Sequence, residues 1–374
     1  MIFSQGGCIF KFGDTYYWYG VKYEEAEKYV QNPKVSYSKD TFAGVTCYSS
    51  KDLVNWKNEG IVVTKDAVNN AEEMGEQKAR WVGRLGVAKV GEKYALFVQH
   101  EFPETEQTDP TKTKDYPDVA KESGGEFDGQ YYSKQVLVLT SDTPTGQFTW
   151  NQRINMYDYT GGTSNTGDQT VFTDEETGKS YLVYSYGRGR GKMFLSEIVA
   201  QDDGKIGLDK SKSYKIYEGA GREGNCMFKY DGKYYVCASD LYGWNASHGY
   251  YLKLDSLEDS YLGGESFTPA TSMKLMAGTS DDFCHVSQTG FFYTVNGSEQ
   301  ETVIFCGDRW AGFAGNGLGF NQWCPLSFDA AGEPYFNSLS AWDIDVATGE
   351  WTVHAQNNYV RNGSFDADRV DQTE

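Results

Sequence analysis

K-Y-D-G-K-Y-Y-V-C-A-S (229–239) sets an Asp-Gly pair between two runs of aromatic and β-branched residues. Asp-Gly supplies the two positive-φ positions of a tight hairpin turn, and the flanking runs suit pleated, half-buried strands. The same pattern returns at K-F-G-D-T-Y-Y-W-Y-G (11–20), K-V-G-E-K-Y-A-L-F-V-Q (89–99), E-T-G-K-S-Y-L-V-Y-S (176–185) and N-G-S-E-Q-E-T-V-I-F-C-G (296–307). A second unit follows each hairpin: Y-S-S-K-D-L-V-N-W (48–56), T-S-D-T-P-T-G-Q-F-T-W (140–150), L-S-E-I-V-A-Q-D-D-G-K-I (195–206), L-D-S-L-E-D-S-Y (254–261) and W-D-I-D-V-A-T-G-E-W (342–351). Each of these reads as an outer strand breaking at a Ser/Asp turn. Five copies over 374 residues give about 75 residues per unit, longer than the ~45 of compact propeller repeats, with the surplus in loops. One such sheet cannot bury both faces, whereas a closed ring of five buries them all. The expected fold is all-β, a five-bladed β-propeller, as a single domain over residues 1–374. A jelly-roll sandwich is the competing β architecture; the even spacing of the repeats favours the propeller.

Composition agrees. The chain has 28 Tyr, 21 Phe, 9 Trp and 42 Gly, the mixture of strand-forming rings and turn residues that large β folds use. Only Y-E-E-A-E-K-Y-V (23–30) and A-V-N-N-A-E-E-M (67–74) read as helical turns, and the polar stretch 101–128 reads as an irregular excursion over one rim. A net charge of −19 argues against nucleic acid or an anionic membrane surface as partner. No apolar run approaches the ~18 residues of a membrane span. Seven cysteines without a C-x-x-C pair predict buried thiols and give no zinc site. No secretory signal opens the chain; an extracellular or periplasmic setting is the expectation, with the compartment itself open.

In a propeller the inner strands run along a central channel, so polar residues at their starts meet at one mouth. Glu223 stands there in R-E-G-N-C-M-F-K and Asp168 in N-T-G-D-Q-T-V-F, each beside glycine and ahead of an apolar run. Each is either a solvated turn carboxylate or one of a pair facing a pocket. Two carboxylates on adjacent blades are the equipment of a glycosidase, one held protonated as general acid. Arg84, after Trp81, opens the second unit and suits a carboxylate or sugar hydroxyls with its planar fork, unless it is a surface arginine. His285 in C-H-V-S-Q-T precedes the fifth unit and is either a core residue or a base. Trp310 with Arg309 in G-D-R-W, and Trp323, Tyr186, Tyr242 and Trp244, are candidate sugar contacts, with core packing as the alternative for each ring. The G-R-G-R-G run (187–191) lacks the ending and setting of a phosphate loop, and no G-x-S-x-G or H-E-x-x-H occurs.

The order of motifs resembles the family 43 glycoside hydrolases, and within them the branch that includes exo-β-1,3-galactanases. The resemblance runs from Gly6 to about Trp351 and is carried by G-G-C-I-F-K-F-G-D-T-Y-Y-W-Y-G, Y-S-S-K-D-L-V-N-W, S-D-T-P-T-G-Q-F-T-W, G-D-Q-T-V-F-T-D, R-E-G-N-C-M-F-K-Y-D-G-K-Y-Y, S-Q-T and G-D-R-W. The resemblance implies a five-bladed propeller with Glu223 at the general-acid position and Asp168 where an Asp orients the acid and tunes its pKa. It puts Gln288 where the galactanase branch has a Gln in the base's place, and Gln5 where that branch usually has His. Two departures stand out. The first inner strand reads Ser4-Gln5-Gly6-Gly7 where most of the family has an Asp base, and Gly83 replaces the Glu before the Arg. Glu101 is the candidate carboxylate to reach in from the 101–128 excursion. The implied function is an inverting, exo-acting hydrolase releasing galactose or a related sugar from a plant-type polysaccharide such as arabinogalactan. The alternatives are an α-L-arabinofuranosidase or β-xylosidase of the same fold, and a catalytically impaired carbohydrate-binding propeller. No cofactor is expected. Family members sometimes hold a Ca2+ or Na+ in the central channel, which His285 would line, but no ligand cluster in the sequence marks one.

Overall fold

Four of the five inner hairpins turn where the sequence supplies positive φ. Asp231 and Gly232 have φ of 47° and 68° between Tyr230 and Lys233, and Gly13 and Gly91 take φ of 64° and 58° in the matching turns of the first two units. The computed structural model describes residues 2–32, 42–76, 78–79, 81–103, 126–127, 130–160, 166–186, 190–243, 245–257, 268–311 and 316–359. The strands of each unit pair with their neighbours into one antiparallel sheet. Blade I holds β1 (Gln5–Phe12), β2 (Thr15–Tyr23), β3 (Phe42–Ser50) and β4 (Lys57–Val63). Blade II holds β5 (Trp81–Val90), β6 (Lys93–Pro103), the short β7 (Glu126–Phe127), β8 (Gln130–Ser141) and β9 (Thr149–Ile154). Blade III holds β10 (Thr166–Thr173), β11 (Ser180–Tyr186), β12 (Lys192–Ala200) and β13 (Ile206–Glu218). Blade IV holds β14 (Glu223–Tyr230), β15 (Lys233–Ser239), β16 (Gly249–Leu254) and β17 (Lys274–Leu275). Blade V holds β18 (Gln288–Asn296), β19 (Glu301–Ala311), β20 (Asn316–Phe328) and β21 (Pro334–Phe336).

The inner strands close a ring: β1 packs on β5, β5 on β10, β10 on β14, β14 on β18 and β18 on β1. The protein is a five-bladed β-propeller. Among the described residues every blade is built from consecutive strands, and none is shared between two segments distant in the chain. Closure between blades I and V rests instead on side chains. The Gly6 N–H donates to Asp308 Oδ1 at 3.0 Å and Asn321 Nδ2 donates to the Ser4 carbonyl at 2.9 Å. Trp18, Trp56 and Trp323 meet in an aromatic seam, the Trp18 and Trp323 ring centroids 4.6 Å apart. The seven cysteines are all free and buried, as expected from their apolar surroundings.

Two readings of the sequence need correction. The segment 342–351 is not the outer strand of blade V. It forms a separate hairpin, β22 (Trp342–Ile344) with β23 (Trp351–Val353), whose turn docks on the blade V hairpin through Ser298 N–H to Ala347 O at 2.8 Å and Thr302 Oγ1 to Gly349 O at 2.6 Å. The true outer strands are β20 and β21, and β20 contains the glycines and the proline of N-G-L-G-F-N-Q-W-C-P-L, a composition that normally interrupts strands. Helix is also more widespread than expected. Besides α1 (Ala26–Gln31), α2 (Lys65–Val68) and α3 (Ala71–Met74), there are single turns at α4 (Tyr157–Thr160) and α5 (Phe283–Val286). Most of the 101–128 excursion lies outside the described residues. No helix among the described residues is long and apolar enough to cross a membrane.

One irregularity repeats in all five blades and builds the mouth of the channel. Each inner strand breaks register near its start: between Gln5 and Cys8, Val82 and Leu85, Thr166 and Gln169, Glu223 and Cys226, and Thr289 and Phe291. A glycine lies in every break (Gly6, Gly83, Gly167, Gly224, Gly290). A bulge inserts an unpaired residue and re-aims its neighbours. Gly6 and Gly224 take φ of 58° and 62° there, a conformation that side chains other than glycine's disfavour.

Candidate active site

The bulges bring Arg84, Asp168, Glu223 and Gln288 from four different blades into one hydrogen-bonded cluster. Arg84 is its hub, 3% exposed. Its Nη1 donates to Asp308 Oδ2 at 2.8 Å, its Nη2 donates to Gln288 Oε1 at 2.7 Å, and its Nε lies 3.2 Å from Asp168 Oδ2. The Asp168 Oδ2 also accepts the Gly224 N–H at 2.8 Å. Glu223 is held on both oxygens: Gln288 Nε2 donates to Oε1 at 2.8 Å, and Arg190 Nη1 donates to Oε2. Gln288 Oε1 accepts a second bond from Trp310 Nε1 at 2.8 Å, which fixes the amide's orientation, and the Arg84 guanidinium lies 5.5 Å from the Trp310 ring.

Gln288 is delivered by a strained turn. Phe283, Cys284, His285 and Val286 all have φ between 52° and 58°, a left-handed turn that costs roughly 1–2 kcal/mol per residue for L-amino acids. Its surroundings over-determine it. The Asp282 carboxylate accepts the His285 N–H at 2.9 Å, Ser287 Oγ donates to Cys284 O at 2.6 Å, and Arg309 donates from Nε to Val286 O at 3.3 Å. Arg309 therefore braces the turn. His285 Nδ1 is taken up by Ser338 Oγ at 2.7 Å, and among the described residues no group of three or more His, Cys, Asp or Glu is placed to hold a metal ion.

Burial sets the charge states. Glu223 is pushed up to about 7, first by burial and then by the Asp168 charge, while Arg190, Arg84 and the Gln288 amide hold it back. Asp308 is also raised by burial, against the pull of Arg84 and the Gly6 N–H. Burial opposes the Arg84 charge, but the Asp168, Asp308 and Glu223 carboxylates outweigh it and raise its pKa. A guanidinium does not deprotonate in proteins, so Arg84 keeps its charge.

The Glu223 shift has a consequence for stability. A carboxyl raised from 4.5 to about 7 binds its proton more tightly in the folded state. That stabilisation is fully present below 4.5 and is lost as pH rises through about 7. Glu223→Gln removes the titration while keeping the shape. Its melting temperature is expected to match the wild type at about pH 4 and to exceed it at about pH 8. Thermal melts at the two pH values measure this; an equal difference at both would contradict it.

The other residues singled out in the sequence fall in different places. Gln5 is buried at the start of β1, facing Val21, and its Nε2 has no hydrogen-bond partner among the described residues. Glu101 is buried on β6, opposite Trp81 in register; the Trp81 side chain and the whole of Trp244 lie outside the described residues. Tyr242 is exposed at the rim, 6.3 Å from the His248 ring. Tyr186 is buried with its ring 4.5 Å from Phe194. Trp323 belongs to the aromatic seam between blades I and V, where Trp18, Trp56 and Phe291 occupy its surroundings. Sequence reasoning missed two members of the cluster. Asp308 sits in the quoted G-D-R-W, opposite Gln288 in the β18–β19 register. Arg190 sits in the G-R-G-R-G run, whose glycine-rich pattern points to a phosphate loop and not to this cluster.

The family profile described as Glycosyl hydrolases family 43 matches residues 7–305. The chain belongs to that family. Solved structures share the fold of this family 43 protein at low identity. The exo-β-1,3-galactanase from Clostridium thermocellum superposes with a TM-score of 0.64 at 24% identity, covering 94% of this chain and 65% of that one. This chain therefore spans just under two thirds of that protein. An exo-β-1,3-galactanase from Phanerochaete chrysosporium, solved with galactose, gives a TM-score of 0.64 at 20% identity over 95% of this chain and 67% of its own. A family 43 β-1,3-galactosidase solved with galactodeoxynojirimycin gives 0.63 at 20% identity, over 92% of this chain and 96% of that one. No curated protein matches the chain.

Proposed function

We propose that this family 43 hydrolase is an exo-acting, inverting enzyme that releases galactose from β-linked galactan side chains of a polysaccharide such as arabinogalactan. The observation that carries the reading is Glu223: a buried carboxyl pushed up to about 7, at the mouth of the channel, beside a second carboxyl, Asp168, held by Arg84 and the Gly224 N–H. A donor poised near neutral pH both holds its proton and releases it readily. The choice of galactose rests on the solved neighbours, which are exo-β-1,3-galactanases and a β-1,3-galactosidase.

In this reading Glu223 protonates the glycosidic oxygen as the bond to the anomeric carbon breaks. Asp168, fixed by Arg84 and the Gly224 N–H, keeps Glu223 protonated by repelling its anion. Water enters from the opposite face of the sugar. With Gln5 on the first inner strand instead of a carboxylate, the water is oriented by amides. Both lone pairs of Gln288 Oε1 are used by Arg84 and Trp310; what it has left to offer is its second amide hydrogen.

The test is incubation with β-1,3-galactobiose, arabinogalactan, and aryl α-L-arabinofuranoside and β-xyloside, following the first-formed product by NMR. Galactose appearing initially as the α-anomer is expected. Arabinose or xylose in its place would move the protein to the other sugar specificities of the fold. Calorimetric binding of galactan with no sugar released would make it a carbohydrate-binding propeller.

A further inference from the structure

The inner strands that assemble the catalytic cluster have a second end. β1, β10, β14 and β18 run from the mouth that holds Glu223 to hairpins on the opposite side of the ring, and their later residues enclose a cavity of about 260 Å3. Glu223 and Tyr230 are the two ends of β14, ~23 Å apart at 3.3 Å per residue. The cavity is therefore no part of the hydrolytic mouth. Small-molecule sites run to roughly 300–1,000 Å3, so this one has room for a single ring-sized molecule.

Its base is built from saturated charges. Asp174 is buried and accepts from the Tyr234 hydroxyl at 2.6 Å and from Lys229 Nζ at 3.2 Å, and Lys229 also donates to Glu176 at 2.7 Å. Three other groups are open. Tyr293 lines the cavity, only 8% exposed, and its hydroxyl makes no hydrogen bond among the described residues. Burial, and then the Glu175 charge, push this phenol well above its ordinary range, so it stays a donor. Glu175 accepts from Asn296 Nδ2 at 3.2 Å and has no ion pair among the described residues. The Lys11 ammonium lies 5.2 Å from the centroid of the Tyr16 ring and has no carboxylate partner among them. Phe10, Met227 and Phe292 supply an apolar wall.

These open groups select the ligand. An anion is repelled by Glu175 and a cation by Lys11. A neutral polyhydroxylated ring meets both, because a hydroxyl donates to a carboxylate and accepts from an ammonium or a phenol, while its C–H face lies on the apolar wall. We propose that the cavity is a second carbohydrate-binding site, taking one sugar residue of a polysaccharide at the end of the channel opposite the hydrolytic mouth. It goes beyond the role of the mouth and does not depend on which sugar is released there. The two openings face opposite sides of the ring, so neighbouring units of one short chain do not fill both; separate branches of one polymer do. Once one branch is held, the second binding event is intramolecular, and affinity for the polymer exceeds that of either site by about 10²-fold or more.

The test is retardation in native gels cast with arabinogalactan, arabinan or xylan, using protein that carries Glu223→Gln so that hydrolysis is suppressed. Tyr293→Phe removes a hydroxyl that holds nothing in the fold, and Glu175→Gln removes the open charge. Adding the pair is expected to raise the apparent Kd for the polymer at least ~10-fold with the melting temperature unchanged. In the otherwise wild-type enzyme the same pair is expected to leave kcat/KM on an aryl glycoside unchanged, since that substrate reaches the mouth alone. Unchanged retardation in the folded variant overturns the site, and so does a protein retarded by none of the three polymers. An equal fall in aryl glycoside turnover also overturns it, because the cavity would then act only through the mouth. If spermidine or inorganic phosphate raises the melting temperature and the pair abolishes that rise, the cavity belongs to an ion and the sugar class falls. Retardation by xylan or arabinan alone, lost in the variant, supports the site and counts against galactose at the mouth. The gel needs no turnover, so failure of the hydrolase reading leaves its result standing.

Discussion

Glu223→Gln is expected to lower kcat on a natural galactan oligosaccharide by about 10³-fold, within the range general acid catalysis supplies. The substitution keeps the shape but replaces one of the two accepting oxygens with an NH2, so one of the hydrogen bonds from Gln288 and Arg190 is lost along with the proton. The effect depends on the leaving group. A sugar alkoxide needs the proton; a dinitrophenolate does not. On an activated aryl galactoside the same variant is expected to keep most of its activity. The pH profile carries a second signature. In the wild type the active form of Glu223 is protonated, so kcat/KM falls as pH rises through about 7, and in the variant that limb disappears. Steady-state kinetics on the two substrates across pH measure both. Undiminished turnover of the oligosaccharide by Glu223→Gln would remove Glu223 from the donor role.

The fold was legible because its signals are local. The turn chemistry of Asp231-Gly232 and the aromatic runs beside it specify a hairpin without help from the rest of the chain, and five such hairpins specify a ring. Glu223, Asp168 and Arg84 were legible for the same reason: each lies beside the glycine bulge that opens an inner strand, at a fixed offset from a readable hairpin; Gln288 was marked only by the family resemblance. Arg190 and Asp308 lie outside that frame. Asp308 is on a second strand, and its importance comes from a register partner, Gln288, and from an arginine two blades away in the ring. Arg190 reaches the donor from a connection whose course no periodicity encodes. Trp323 shows the reverse error. A tryptophan near a suspected sugar site reads as a platform, yet the ring is spent on joining the last blade to the first. The hairpin at 342–353 misled because it carries a strand signature while serving as a buttress on blade V.

Arg84→Ala is expected to destabilise the protein by about 3–5 kcal/mol, the loss typical of removing one partner from a buried ion pair. The magnitude comes from what is left behind. Asp168 and Asp308 are 7% and 3% exposed, and each would lose its contact with the guanidinium. Gln288 Oε1 would lose one of two donors. Arg84→Lys is expected to recover only part of the loss, because an ammonium meets one carboxylate as a point charge where the guanidinium meets Asp168, Asp308 and Gln288 through three nitrogens. Urea denaturation of both variants gives the numbers, and a cycle with Asp308→Asn locates them. If Arg84 stabilises mainly by compensating Asp308, the double variant Arg84→Ala with Asp308→Asn will be less destabilised than the sum of the singles. Additive losses would mean that Arg84 acts on the two carboxylates only through packing. A wild-type midpoint for Arg84→Ala would mean that the cluster joining blades II, III and V does not hold the ring at its mouth.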